Sequence, residues 1–170
     1  EFLQLNHPWD IFTYNGDAIR SDFELLTNGK KTDRLSKTNT LLNPQNIFVE
    51  EGVKAESVTL NASTGSIYLG RNSEIMEGST IRGPFALCEN STVKMGAKIY
   101  GPTTIGPSSK VGGEINNSVI IGYSNKAHDG FLGNSVIGEW CNIGADSNNS
   151  NLKNTYGPVR LWSYPEEKFI

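Results

Sequence analysis

A single rhythm constrains what this chain can become. Leu69, Ile75, Ile81, Leu87, Val93, Ile99, Ile105 and Val111 stand at strict six-residue spacing, separated by Gly, Ser, Thr, Asn and Pro. An α-helix turns every ~3.6 residues, so a period of six would scatter these side chains around its axis. The spacing instead suits a chain that makes a short strand, turns and repeats. Hexapeptide repetition of this kind predicts a parallel β-helix. Three six-residue units close one triangular coil, with one apolar residue per side pointing inward. The small residues at the corners allow tight turns, some at positive φ. Such a rod needs only one narrow apolar file per side, which accommodates a hydrophobic content of only 36%.

Around this run the pattern changes. Pro8 near a helix start, then Trp9, Phe12, Ile19, Phe23 and Leu26 at three-, four- and seven-residue spacing, predict one or two amphipathic helices over roughly 8–28. Asn6 or His7 is expected near the cap, Gly16 interrupts the run, and Asn28-Gly29 closes it. Residues 30–46 are polar and turn-rich, a connector. The division is therefore 1–46, helical linker and connector, and 47–170, β-helix. Hexads are expected to begin at Val49 and Ala55 and to slip by two residues near Ser66-Ile67. After Val111 the phase breaks, resumes with Ile121 and Ala127, slips again, and runs through Phe131, Ile137 and Ile143. Asn148 to Asn154 reads as a projecting loop, and the aromatic stretch from Tyr156 to Tyr164 as the start of another coil. The chain opens on Glu1-Phe2 without Met and ends without a visible cap, so a piece of a longer protein is expected.

Charge and cysteine content narrow the function. The net charge is −3 with both signs interspersed, which points away from nucleic acid and from a membrane surface. No apolar run approaches the ~20 residues of a membrane span, and no secretory signal opens the chain. Cys88 and Cys141 are read as free thiols in a reducing cytoplasm. His7 is read as a helix-cap neighbour, Lys94, Lys98 and Lys110 as a solvated face, and Trp140 and Trp162 as packing at a corner or seam. Neither a G-x-x-x-x-G-K-[ST] nor a G-x-G-x-x-G loop occurs.

Residues 122–154 carry the chemistry. His128 lies where the phase slips, is followed by the turn pair Asp129-Gly130, and is surrounded in sequence by Lys126, Asn142 and Asn151. A neutral imidazole at a rod edge can take a proton from an attacking amine or hydroxyl near pH 7.

The stretch KAHDGFLGNSVIGEWCNIGADSNNSN resembles the acyltransferase half of the bacterial bifunctional N-acetylglucosamine-1-phosphate uridyltransferase/glucosamine-1-phosphate acetyltransferases. The whole chain, with its Pro-Trp-Asp linker helix, looks closer still to a sugar-phosphate nucleotidyltransferase-like hexapeptide relative. The resemblance implies a left-handed β-helix, a homotrimer, and acetyl transfer from acetyl-CoA to an amino sugar phosphate, with no tightly bound cofactor and no metal. It makes His128 the catalytic base and assigns substrate contacts to Asn142, Lys126, Glu114 and Asn151. Ala145 takes a backbone contact to the acyl carrier. Ala127 stands where the family has Gly before its histidine, Phe131 where it has Tyr, Leu152 where a second Tyr follows the loop, and Asn117 near a family Lys. Two other readings remain open beside the enzyme: a trimerising scaffold for a nucleotidyltransferase, and a module that binds sugar nucleotides without chemistry.

Overall fold

The computed structural model describes residues 3–149 and 152–170 of the chain. It is a parallel β-helix of six coils with one helix laid on its side, as the hexads and the N-terminal pattern predict. Strands β1 (Thr40–Leu42), β2 (Ile47–Val49) and β3 (Lys54–Ala55) form the first coil. The second contains β4 (Thr59–Asn61), β5 (Ile67–Leu69) and β6 (Glu74–Ile75), and the third β7 (Thr80–Arg82), β8 (Phe85–Leu87) and β9 (Thr92–Val93). The fourth is β10 (Lys98–Tyr100), β11 (Thr103–Ile105) and β12 (Lys110–Val111). In the fifth coil β13 (Glu114–Gly122) runs through one corner and serves two faces before β14 (Asn125–Lys126). In the sixth, β15 (Phe131–Glu139) does the same, and the third side is a single bridge from Asn125 to Asn142. Each strand pairs in parallel with its equivalent one coil away. Strand pairing starts at Thr40, ahead of the expected start at residue 47.

The eight residues of the hexad run are all 0–1% exposed. They stack in three files, one per face. Leu60, Ile81, Ile99, Ile115 and Leu132 form the first, and Leu69, Leu87, Ile105 and Ile120 the second. Ala55, Ile75, Val93 and Val111 form the third. Beyond Val111 the expected phase is off by one. Ile120, not Ile121, enters the core, and Ile121 is 41% exposed. Likewise Lys126 rather than Ala127 pairs with Val111, and Leu132 rather than Phe131 pairs with Ile115. The cause is a shortened coil. Ile105 sits opposite Ile120, whereas Leu87 sits opposite Ile105. The corner at Gly106 is pressed so closely on the next coil that an added Cβ would lie 1.9 Å from the Ile121 carbonyl oxygen.

A serine file stiffens the corner between the second and third faces. Ser73, Ser91, Ser109 and Ser124 are all at most 4% exposed. The Ser91 hydroxyl donates to the Gly106 carbonyl at 2.8 Å and accepts the Ser109 amide at 3.1 Å. Ser109 accepts the Ser124 amide at 3.2 Å, and Ser124 accepts the Cys141 amide at 2.9 Å. The hydroxyls of Ser91, Ser109 and Ser124 thus each satisfy a backbone group of the coil above, where a dry corner would leave it orphaned, whereas the buried Ser73 hydroxyl has no partner among the described residues.

Residues Asp10–Thr27 form one continuous helix, α1. Gly16 does not break it. The residue faces the rod, where an added Cβ would sit 3.0 Å from Pro102 Cγ, so its lack of a side chain sets the close approach. Asn15, Gly16 and Ile19 are the buried residues of the helix, while Leu26 is exposed. Asn15 clips the helix in place: its Nδ2 donates to the Pro102 carbonyl at 3.0 Å, and its Oδ1 accepts from the Thr104 hydroxyl at 2.7 Å. Trp9, not Asn6 or His7, is the N-cap, and it makes no side-chain cap. Instead the Asp10 carboxylate accepts the Asn6 and His7 amides, which holds its pKa below the ordinary value, and the His7 ring stacks on Trp9.

Both rod ends differ from expectation. The connector is partly ordered against the first coil, with Asp33 donating its amide to the Val49 carbonyl and Thr32 accepting the Val49 amide. The aromatic C-terminal stretch does not start another coil. Its strands β16 (Trp162–Ser163) and β17 (Lys168–Phe169) pair antiparallel as a hairpin, with Trp162 edge-on to Phe169. Trp140 packs at a corner, stacked on Tyr123 at 5.0 Å. The two thiols are free; burial pushes Cys88 up to about 11, and Cys141 is exposed.

The files predict a sharp contrast between neighbouring apolar positions. Leu87→Ala, which empties a fully buried site, is expected to lower stability by about 2–5 kcal/mol, whereas Ile121→Ala is expected to change it by no more than about 0.5 kcal/mol. Chemical denaturation of the two variants against the parent checks this.

Candidate functional site

The expected site lies at the corner joining the third and first faces in the last two coils. The helix covers the second face, contacting β11, β13 and β15 and closing over Tyr68, Ala86 and Thr104. The site corner is therefore the one opposite the covered face. His128 follows β14 there and is exposed. Its ring makes no hydrogen bond to any described residue, while its backbone carbonyl accepts a 2.6 Å bond from Lys126 Nζ. The turn around it is tight. Gly130 has φ +121°, Glu114 donates its amide to the Gly130 carbonyl at 3.2 Å, and Gly113 lies directly beneath.

Lys126 is not the surface contact that its sequence neighbourhood suggests. It is 2% exposed and stands in the third core file above Val111. Nζ donates to the Gly112 carbonyl at 3.0 Å as well as to His128. Desolvation lowers its pKa, and the carboxylates of Asp129 and Asp146 oppose that shift. Asn142 lies one coil above Asn125 on the outer side of the third face, and its Oδ1 accepts from Asn125 Nδ2 at 2.7 Å. Ala145 is exposed in the following turn. Glu114, one coil below Phe131 on the first face, accepts the Tyr100 hydroxyl. Asn151 lies outside the described residues. The structure thus gathers Lys126, His128 and Asn142 on two adjacent coils and leaves Glu114 on the adjoining face.

The Asn-rich stretch begins as an edge cap, not as a free loop. Asn149 donates its amide to the Phe131 carbonyl, its Oδ1 accepts the Gly133 amide at 2.9 Å, and its Nδ2 donates to the Gly133 carbonyl. Asn148 Oδ1 accepts the Phe131 amide at 2.7 Å. Two side-chain amides thus satisfy the open edge of β15, much as a further strand would.

Sequence reasoning missed a cavity at this end of the rod. It measures about 470 Å³ and is lined by Trp9 and Phe12 of the helix region and by Lys126, Phe131, Ile137 and Ile143 of the last coils. A second, of about 460 Å³, adjoins it and includes Val159, Leu161 and Ile170. The signal was the hydrophobic stripe of α1, whose first residues extend past the rod face to its end. Among the described residues no group of three or more His, Cys, Asp or Glu side chains gathers to hold a metal ion, and no helix is long and apolar enough to cross a membrane.

Fold and corner together define a hexapeptide β-helix with a histidine-bearing edge. Over 148 residues the chain is 28% identical to the bifunctional protein GlmU of Rippkaea orientalis, an alignment covering 75% of this chain and 33% of that protein. It is 29% identical over 139 residues to the bifunctional protein GlmU of Wolbachia pipientis wMel, covering 76% and 31%. The chain spans about a third of the length of the curated relatives it matches. A family model described as sugar nucleotidyl transferase matches residues 1–31.

Two outcomes follow from this geometry. Asn149→Ala, which strips partners from both backbone groups of Gly133, is expected to destabilise by roughly 1–2 kcal/mol and to speed amide exchange at Gly133, as read by NMR. Tyr100 has its pKa raised above the ordinary 10.0, chiefly by its bond to Glu114. A raised folded pKa gives stability that is present below the unfolded value and lost as pH rises through the folded one. The stability difference between parent and Tyr100→Phe is therefore expected to be constant below pH 9 and to shrink above about pH 10, by denaturation at each pH.

Proposed function

We propose that this chain is the acyltransferase-type rod of a sugar-nucleotide biosynthesis protein, moving acetyl from acetyl-CoA to an amino sugar phosphate. The observation that carries the reading is His128: an exposed imidazole without hydrogen-bond partners among the described residues, on the corner opposite the helix-covered face, with its backbone held in place. Likeness to proteins named bifunctional GlmU over three quarters of the chain supports the same reading. In the reaction the substrate amine attacks the thioester carbonyl carbon. A C–N bond forms and the C–S bond breaks. His128 takes the proton from the amine nitrogen and passes it to the departing CoA thiolate. Asn142 and Glu114 are placed to contact the sugar, and the exposed backbone of Ala145 to meet the acyl carrier. The helix leaves the first and third faces open, so copies of the rod associate through these as a homotrimer, with His128 at the seam. Two free thiols suit the cytoplasm.

A second reading has its own support. Residues 1–31, just ahead of the rod, match a family model described as sugar nucleotidyl transferase, which supports it. In that case the rod assembles a nucleotidyltransferase and carries no chemistry. The two separate in the full-length protein, by assaying CoA release from acetyl-CoA with glucosamine-1-phosphate. His128→Ala is expected to lower turnover by at least about 100-fold while the oligomer persists. If no amino sugar is turned over and His128→Ala changes nothing, the acyltransferase reading falls. The scaffold reading instead expects that deleting the rod dissociates the oligomer and spares nucleotidyl transfer.

A further inference from the structure

We propose that Lys126 is a positioning residue, which fixes the corner bearing His128 from inside the rod; the proposal rests on the acyltransferase reading above. The third core file reads Ala55, Ile75, Val93, Val111, Lys126, with half-buried Ile143 above it. Every other member is apolar. A lysine there must strip its ammonium of water, and an apolar side chain of the same length would pack without that penalty. Packing alone therefore gives no reason for it.

Its bonds do. Nζ donates to two carbonyls, Gly112 at 3.0 Å and His128 at 2.6 Å. Gly112 belongs to the fourth coil, and its own amide donates to the Lys126 carbonyl. The ammonium thus ties the corner carrying His128 to the coil beneath, at the point where the phase slips and the shortened coil sets the turn. A charged donor makes the stronger type of hydrogen bond, and a low-dielectric setting strengthens it further. Asp129 and Asp146 are the carboxylates that act on this charge. They lie on the two successive corners and are joined by the Asp146 amide donating to the Asp129 carbonyl. The imidazole itself receives nothing from Lys126. What Lys126 controls is the backbone from which the ring projects, and misplacement of a reacting group by ~1 Å can lower a rate about 100-fold.

The test uses the full-length protein with acetyl-CoA and glucosamine-1-phosphate. Lys126→Met keeps the apolar stem and removes the donor. It is expected to fold as the parent does, with relief of the ammonium's desolvation offsetting the two carbonyls left without their donor, to lose about 10- to 100-fold in kcat, and to keep both KM values within about threefold. Lys126→Gln, which retains one neutral donor, is expected to fall between the two. Independently of turnover, the carbonyl carbon resonance of His128 is expected to move in Lys126→Met. Should that resonance stay where it is, or should Lys126→Met and Lys126→Gln both turn over like the parent while His128→Ala is dead, the proposal is overturned and the acyltransferase reading stands. If His128→Ala is itself fully active, that reading fails first. If Lys126→Met does not fold, the Gln variant decides.

Discussion

The backbone ladder between successive coils is the interaction on which everything else depends. Amides of one coil bond carbonyls of the next, as Gly70 to Leu87, Cys88 to Ile105 and Gly106 to Ile120. Because the partner lies one full coil away in sequence, no strand here is stable alone, and each coil is the template for its neighbour. The ladder fixes which residues stack, and stacking fixes the three core files. It also explains why two- and three-residue strands suffice. Their side chains are packed above and below as well as across the core.

Corners are the weak element of such a design, and the chain strengthens them with polar devices specific to each edge. Buried serines stack at one corner, and Ser91, Ser109 and Ser124 each accept an amide from above. Asn72, Asn90 and Ser108 take positive φ in successive coils, where Tyr123 and Trp140 later do the same and stack on each other. The helix follows the same logic on a larger scale. It is held by apolar Ile19, by the close approach at Gly16 and by the two bonds of Asn15. This leaves two faces and one corner of the prism uncovered.

The regular part of this architecture was legible in the sequence because a six-residue period admits no other regular structure. All eight residues from Leu69 to Val111 are core, and Val49 and Ala55 join them as expected. Legibility failed where coil length changed. Periodicity cannot show that β13 runs straight through a corner, since that depends on how closely Gly106 sits on the next coil. Carrying the six-residue phase forward therefore put Ile121, Ala127 and Phe131 in the core, in place of Ile120, Lys126 and Leu132. The same error hid the nature of Lys126, which looked like a polar neighbour of His128 and is a core residue. Asn149 was similarly misread, because an asparagine that replaces a strand edge and one in a free loop look alike in sequence. The candidate site was read where the rhythm fails, and the structure shows His128 on the turn at that slip, but the Lys126 bond that supports this turn from below was not visible in the sequence.

Regular coils and irregular corners thus divide the labour. In the third file, apolar side chains from Ala55 to Val111 hold coils in register but cannot hold a carbonyl outside the ladder. At the slip, the turn after β14 leaves the His128 carbonyl with no strand partner, and an apolar residue at 126 would leave it to solvent or unpaired. Only a long side chain that starts in the core and ends in a multiple donor can reach both this carbonyl and that of Gly112. Glutamine would supply donors without the charge. Lysine meets both demands, with Asp129 and Asp146 near enough to offset its burial. The departure from hexapeptide pattern at this position is therefore what a rod needs if one of its corners is to carry a fixed functional group.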